Sequence, residues 1–245
     1  MIENDILAHA RQCAPAESCG FVVRMAQGEQ YFPCENHATE PMLSFSIRPE
    51  DYLSAQVKGE VTALVHSHPD GPPYLSSADR AMQIQSDLPW WLVCEGQIYR
   101  YRCVPLLSGR RFEHGELDCY SLIRDAYHMA GIAIPNFSRQ DDWWKKGENL
   151  YLDNIEATGF YRTSREDMQV GDIVLCCLGS SVANHAAIYC GNSELLHHIP
   201  NQLSKRERYS DRWQRSTHSI WRHRAWHASA FTGIYNDLAS ALTSV

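Results

Sequence analysis

The sequence predicts an α+β fold organised as two domains. Three observations lead there. A chain of 245 residues exceeds one typical domain of roughly 150 residues and falls short of two. Its composition, 44% hydrophobic and 21% charged, is that of an ordinary globular protein with enough apolar residues for a core. Segments of helical period and of strand period occur in both halves, in separate blocks, which reads as α+β.

In the first half, Ile2, Ile6, Leu7 and Ala10 fall on one helical face and predict an N-terminal helix. GFVVRM (20–25), QYFPC (30–34), LSFSI (43–47), TALVHSH (62–68) and PWWLVCE (89–95) read as short strands, and SSADRAMQIQSD (76–87) as a helix. Between Val104 and Glu116, Pro105, Gly109 and Gly115 punctuate a short polar run, which reads as a connector. The boundary is expected at 108–112, giving domains over 1–108 and 112–245. The second half opens with DCYSLIRDAYHMAG, where Leu122, Ile123, Ala126, Tyr127 and Ala130 keep helical spacing and Gly131 suits the terminus. Another helical region is expected over 141–157, followed by strands in GDIVLCCL (171–178), HAAIYC (185–190) and ELLHHI (194–199).

Charge narrows the function classes. With 22 Lys+Arg against 29 Asp+Glu the net charge is −7, which argues against general nucleic-acid binding. The start, MIENDILAHARQC, lacks the basic segment and apolar run of a secretory signal, and no apolar stretch approaches the roughly 20 residues of a membrane span. The expectation is a soluble chain made in the cytoplasm, where thiols stay reduced. Nine cysteines are too few for a disulfide scaffold of this size.

The strongest local pattern is Val65-His66-Ser67-His68-Pro69. Histidines at i and i+2 of a strand point to one face, and converging imidazoles suit Zn²⁺. Seven residues later comes Ser76-x-x-Asp79, in which Asp79 is a candidate third ligand, leaving one position open to water as in catalytic zinc sites. Glu17, in Glu17-Ser18-Cys19-Gly20 before a strand, is the candidate proton acceptor. Each piece alone has a plainer reading: Ser76-x-x-Asp79 is also a helix N-terminus with a serine cap. In order and on compatible elements, they resemble the signature of the JAMM (MPN, Mov34-type) metalloproteases. The resemblance covers about residues 1–105. It implies an α/β sandwich, one Zn²⁺ per chain held by His66, His68 and Asp79, Glu17 as general acid/base, and Ser76 assisting the oxyanion.

A second pattern is a thiol. Asp118-Cys119 stands at the start of a clear helix, with Asp118 a suitable N-cap. Cys119 falls in the first turn, where the helix dipole favours a thiolate. A thiol nucleophile needs a histidine base, and His185 opens a strand. A turn at Gly191-Asn192 leads to His197 and His198. A two-residue loop sets His185 opposite His198, and a three-residue loop sets it opposite His197, so pattern alone leaves both open. Asp118-Cys119-x-Ser121-Leu122, Gly171-Asp172-Ile173, His185-Ala186-Ala187-Ile188-Tyr189 and a histidine twelve positions beyond His185 resemble the NlpC/P60 cysteine peptidases. That family implies a papain-like domain with the triad Cys119, His185 and His197, and relatives that commonly cut cell-wall peptide stems at γ-D-glutamyl bonds to diaminopimelate. One departure stands out: the family's tyrosine some twelve residues before the cysteine is here Leu107.

The order of the two domains, with the C-terminal run THSIWRHRAWHASAFTGIYNDL, resembles the tail tip assembly proteins of lambda-like tailed phages. The resemblance implies a bifunctional peptidase of tail assembly or cell penetration, with other phage tail tip proteins as partners, a cell-wall peptide as substrate, no nucleic acid and no membrane span. It places the protein in the host cytoplasm during assembly, then at the virion tail tip or in the host periplasm. The competing reading is a non-catalytic assembly scaffold that keeps one or both folds for binding. Lys205 to Arg224, with seven basic and two acidic residues around Trp213 and Trp221, reads either as an anionic-partner surface or as a solvated face with its aromatics turned inward.

Overall fold

The computed structural model describes residues 2–243 and divides into two compact units, Met1–Val104 and Pro105–Val245. The fold is mixed α+β in both.

The first unit runs α1 (Ile2–Cys13), β1 (Cys19–Met25), β2 (Gly28–Cys34), α2 (Pro49–Lys58), β3 (Glu60–Ser67), α3 (Ser77–Ser86), β4 (Trp90–Cys94) and β5 (Gln97–Tyr101). Its five strands lie in the order β2-β1-β3-β4-β5. All pairs are antiparallel except β3 with β4, which are parallel and joined across α3. Strand alternation sets the two faces. Val22, Ala63, Val65 and Val93 meet Ile6 and Ala10 of α1 on one face. Phe21, stacked near Tyr52 of α2, lies on the other with Leu64 and, two residues on, His66. Helices thus cover both faces of the sheet, and the β3-α3-β4 crossover departs from the separate blocks expected.

Two elements differ from the periodicity. Residues 43–47 form no strand, because Asn36 takes up their backbone groups instead: its side chain donates to Ser44 O and accepts from Ser46 N–H, and His37 N–H donates to Ser46 O. The segment forms a rim rather than a sheet edge. Helix α2 begins with Pro49 in its first turn followed by Glu50 and Asp51, a start signal that the sequence reading passed over.

The second unit contains α4 (Cys119–Met129), α5 (Leu150–Asn154), β6 (Phe160–Thr163), β7 (Ile173–Cys176), β8 (His185–Gly191), β9 (Glu194–His197), β10 (Lys205–Arg208), α6 (Asp211–Ser216), β11 (Thr217–His223) and α7 (Phe231–Thr243). Its sheet, β10-β9-β8-β7-β11-β6, is antiparallel throughout. One face buries Val174, Cys176, Ala187, Leu195 and Ile220 against Tyr209 and Trp213. The expected helix over 141–157 is a 3-10 turn at Trp143–Lys145 and the five-residue α5. The expected connector is part of this unit. Leu107 is fully buried with its N–H on Asp237, Gly109 and Arg110 bond to Ser204, and Arg110 pairs with Asp125 at 2.7 Å. The units therefore part at Val104 and Pro105, a few residues before the boundary expected from the glycines.

Gly171 shows why the Gly171-Asp172-Ile173 motif takes that form. Its φ is +91°, and a Cβ there would lie 1.9 Å from the Trp226 ring, so only glycine is accommodated. Asp172, fully buried, takes a bidentate pair from Arg222 at 2.8 Å and ties β7 to β11.

Candidate functional site: a metal centre and a thiol

In the first unit, β3 delivers His66 and the turn after it delivers His68, while Asp79 occupies the first turn of α3. Ser76 caps that helix: its Oγ accepts the Asp79 N–H, and Asp79 Oδ2 accepts the Ser76 N–H at 2.8 Å. The cap fixes the carboxylate against both imidazoles. His66 Nε2 and His68 Nε2 lie 3.2 Å apart, and Asp79 Oδ2 lies 3.5 and 3.3 Å from them. These three form the one group of convergent metal-ligand side chains among the described residues.

The triangle fits a metal. A tetrahedral zinc with bonds of roughly 2.0–2.1 Å holds neighbouring ligand atoms roughly 3.3–3.4 Å apart. The His68 Nδ1–H donates to Pro72 O at 3.0 Å, which leaves the Nε2 lone pair facing inward. His66 is fully buried against the Phe45 and Trp90 rings. Burial lowers the His66 pKa despite Asp79, so it presents a neutral nitrogen. Burial opposes ionisation of Asp79, yet the two histidines hold its carboxyl well below the usual range.

Glu17 sits in the loop before β1, held through its backbone by Pro41 O and the Asn36 side chain. Its Oε1 is 4.0 Å from His68 Nε2. Burial pushes the carboxyl up to about 7, with His68 pulling it down and Asp79 pushing it up. Glu17, His68, Ser76 and Asp79 open on one groove of about 620 Å³. Gly20 supports this strand entry: a Cβ there would lie 2.5 Å from Phe32 O. The five candidate residues of the first domain, Glu17, His66, His68, Ser76 and Asp79, are thus brought together.

In the second unit, Asp118 caps α4 in a reciprocal box with Ser121, and Arg139 clamps the Asp118 carboxylate through Nε and Nη2 at 2.6 and 2.8 Å. Cys119 follows, its thiol in an aromatic-lined cavity of about 640 Å³ shared with His185. Burial and Asp118 push the thiol up to about 11, against hydrogen bonds from Tyr151 and the Ala186 N–H. The helix dipole was expected to yield a thiolate; desolvation and the capping carboxylate outweigh it, and the resting group is a thiol.

The hairpin differs from expectation. Its turn residues are Asn192 and Ser193, with φ of +50° and +57°, not Gly191 and Asn192. Ile188 pairs with Leu196, so neither histidine lies directly opposite His185. His197 shares the face of His185, diagonally placed, with ring centroids 5.6 Å apart and edge to face. His198 packs edge to face against Phe112 and lines the cavity that holds Cys119 and His185. His185 Nε2 has no hydrogen-bond partner among the described residues, so the contact with His197 is ring packing. His197 Nε2 lies 3.3 Å from Glu207 Oε1, and Glu207 also takes Lys205 at 2.9 Å and the Trp213 indole N–H. The sequence reading missed Glu207 and Tyr151. Both come from distant segments, and Glu207 is hidden in a basic run. Trp213 and Trp221 are buried, as the reading with inward aromatics has them, and Arg222 is spent on Asp172.

Burial, then His197 and His198, pushes His185 down to about 3, and burial pushes His197 to about 4 against Glu207. An unfolded histidine protonates near 6.5. Below that pH the unfolded chain binds protons that the folded one refuses, so stability is lost as pH falls from 6.5 and levels off below these lowered values. The expected slope is about 1.4 kcal/mol per pH unit for each histidine. Thermal melting from pH 8 to pH 4 should show the loss, and His197→Phe should reduce its slope. Equal slopes in both proteins would contradict the assignment.

The NlpC/P60 family matches residues 109–222, and the prokaryotic homologs of the JAB domain match residues 2–105. The chain is 70% identical over 197 residues to the tail tip assembly protein K of Escherichia phage lambda, covering 80% of this chain and 99% of that protein. It is 35% identical over 229 residues to the tail tip assembly protein K of Escherichia phage N15, covering 89% and 93%. Over 89 residues it is 30% identical to the desampylase of Haloferax volcanii, covering 31% of this chain and 64% of that protein. The chain belongs to the tail tip assembly protein K family, with a JAMM-like first domain and an NlpC/P60 second domain. No helix among the described residues is long and apolar enough to cross a membrane.

Proposed function

We propose that this protein is a bifunctional peptidase of phage tail tip assembly or host penetration, with a zinc-dependent hydrolytic site in residues 1–108 and a thiol peptidase site in 112–245. The observation that carries the first site is the His66, His68 and Asp79 triangle, matched in its edges to one zinc. A zinc ion there would acidify a bound water and polarise a peptide carbonyl. Glu17, poised by burial, takes a proton in the groove and returns it to the leaving amine. Ser76 Oγ accepts the Asp79 N–H and keeps its own hydroxyl hydrogen for a substrate oxygen.

At the second site, Cys119 attacks the carbonyl as its proton passes to His185, whose Nε2 is unengaged. His197, backed by Glu207, walls the imidazole into position. The Cys119 N–H, in the first turn of α4, has no intrahelical partner and supports the oxyanion. Collapse releases the amine, protonated by His185, and water then frees the acyl group. Stem peptides of the cell wall, cut at γ-D-glutamyl bonds to diaminopimelate, are the proposed substrate. The tail tip partners follow from the relatives' role in assembly.

The two sites should inactivate independently. A zinc chelator should strip the metal while leaving stem-peptide release intact, and iodoacetamide should stop that release while leaving the metal bound. Loss of stem-peptide release on chelation alone would refute the division of labour.

A further inference from the structure

The side-chain hydrogen bond of the Cys119 thiol runs to Tyr151 Oη, at 3.2 Å, and not to either histidine. Tyr151 lies in α5, 32 residues downstream of Cys119, and its ring is wedged between Tyr120 and Trp143, with centroids 6.1 and 5.9 Å away. Its one polar side-chain atom is therefore aimed at the sulfur from a rigid aromatic wall of the cavity that also holds His185. Burial and the neighbouring thiol keep the phenol far above its ordinary pKa, so it stays a neutral O–H donor.

We propose that Tyr151 is a catalytic residue of the thiol site, donating a hydrogen bond to the Cys119 sulfur as it loses its proton and to the oxyanion that then forms beside it. The proposal rests on the thiol peptidase reading above. When the thiol proton moves to His185, the charge left on Sγ receives the phenolic O–H. When Sγ bonds to the carbonyl carbon, the π electrons move to oxygen about one bond length away, within reach of the same donor and of the Cys119 N–H. Tyr151 keeps its proton throughout; the proton carried by His185 leaves with the amine, and water completes hydrolysis. The position that the NlpC/P60 pattern gives to a tyrosine holds Leu107, which is buried with no polar group to offer. Tyr151 supplies a phenol to the sulfur from a different segment.

The test is the pH dependence of Cys119 alkylation by iodoacetamide in the full-length protein, followed by the mass of the peptide carrying Cys119. Tyr151→Phe keeps the ring and its packing. It should slow alkylation at neutral pH about tenfold, as expected for removing a hydrogen bond to a charged atom, and move the profile to higher pH. Site-specific 3-fluorotyrosine at 151, a stronger donor of nearly the same shape, should move the profile to lower pH; it keeps the test alive if the Phe variant folds poorly. On a γ-D-glutamyl-diaminopimelate peptide, Tyr151→Phe should lower kcat at least tenfold with little change in KM. Unmoved alkylation profiles in both variants would overturn the proposal. Shifted profiles in a protein whose wild type cuts no peptide would uphold the hydrogen bond to the sulfur and defeat the peptidase reading instead.

Discussion

Replacing Cys119 with alanine should abolish the release of stem peptides from purified cell wall. The argument is chemical. Cys119 is the one cysteine of nine at the first position of a helix, capped by Asp118, and it opens on a cavity large enough for a peptide. Removing a nucleophile forfeits most of the rate enhancement of a covalent mechanism, and a loss of roughly 10⁴-fold or more is expected. The fold should survive, because Asp118, Ser121 and Arg139 hold the start of α4 without the sulfur. The expected signature is loss of released peptides by mass spectrometry, with unchanged melting and unchanged zinc. Equal release by wild type and variant would remove Cys119 from the reaction.

The second large effect is on the metal. Wild-type protein should carry about one zinc per chain, and His66→Ala or Asp79→Ala should carry almost none. Metal binding should also be visible as stability. At a zinc concentration a hundred times its Kd, binding stabilises the first unit by about 2.7 kcal/mol. For a unit of this size that raises its melting temperature by roughly 10–20 °C. His66→Ala should abolish the rise. Glu17→Gln should keep it, because Glu17 stands beyond the triangle at 4.0 Å from the nearest ligand nitrogen. A wild-type protein that neither holds zinc nor is stabilised by it would defeat the metal site.

What could be read from the sequence was what is local. His66 and His68 stand two apart at the end of β3, and Ser76 and Asp79 share a helix cap, so three candidate ligands were legible from two short motifs. Asp118 and Cys119 were legible for the same reason. The rest depends on contacts between distant segments. Tyr151 reaches Cys119 from a loop-bound five-residue helix with little periodicity of its own. Glu207 sits in KRER, a run whose charge masks an edge strand paired to His197 through Lys205. The register of β8 and β9 turned on a bulge that the sequence does not mark: Gly191, Asn192 and Ser193 all have positive φ, Asn192 and Ser193 form the turn, and Gly191 pairs with Glu194 after a shift beyond Tyr189. LSFSI alternates like a strand and is not one, because Asn36, His37 and Glu40 take up backbone groups of Leu43, Ser44 and Ser46 instead of a neighbouring strand. The state of Cys119 was misjudged for a physical reason: position at a helix N-terminus speaks for a thiolate, while desolvation beside a carboxylate speaks against it, and desolvation prevails.

We propose that chemistry at two separate sites, and not scaffolding alone, is what this protein contributes to the tail. The most direct measurement is the yield of infectious particles from phage whose only copy of this protein carries Cys119→Ala or, separately, Glu17→Gln, with protein level and folding matched to wild type. The account predicts that each substitution lowers the yield on its own. Wild-type yields from both would contradict it and leave the two folds as binding platforms.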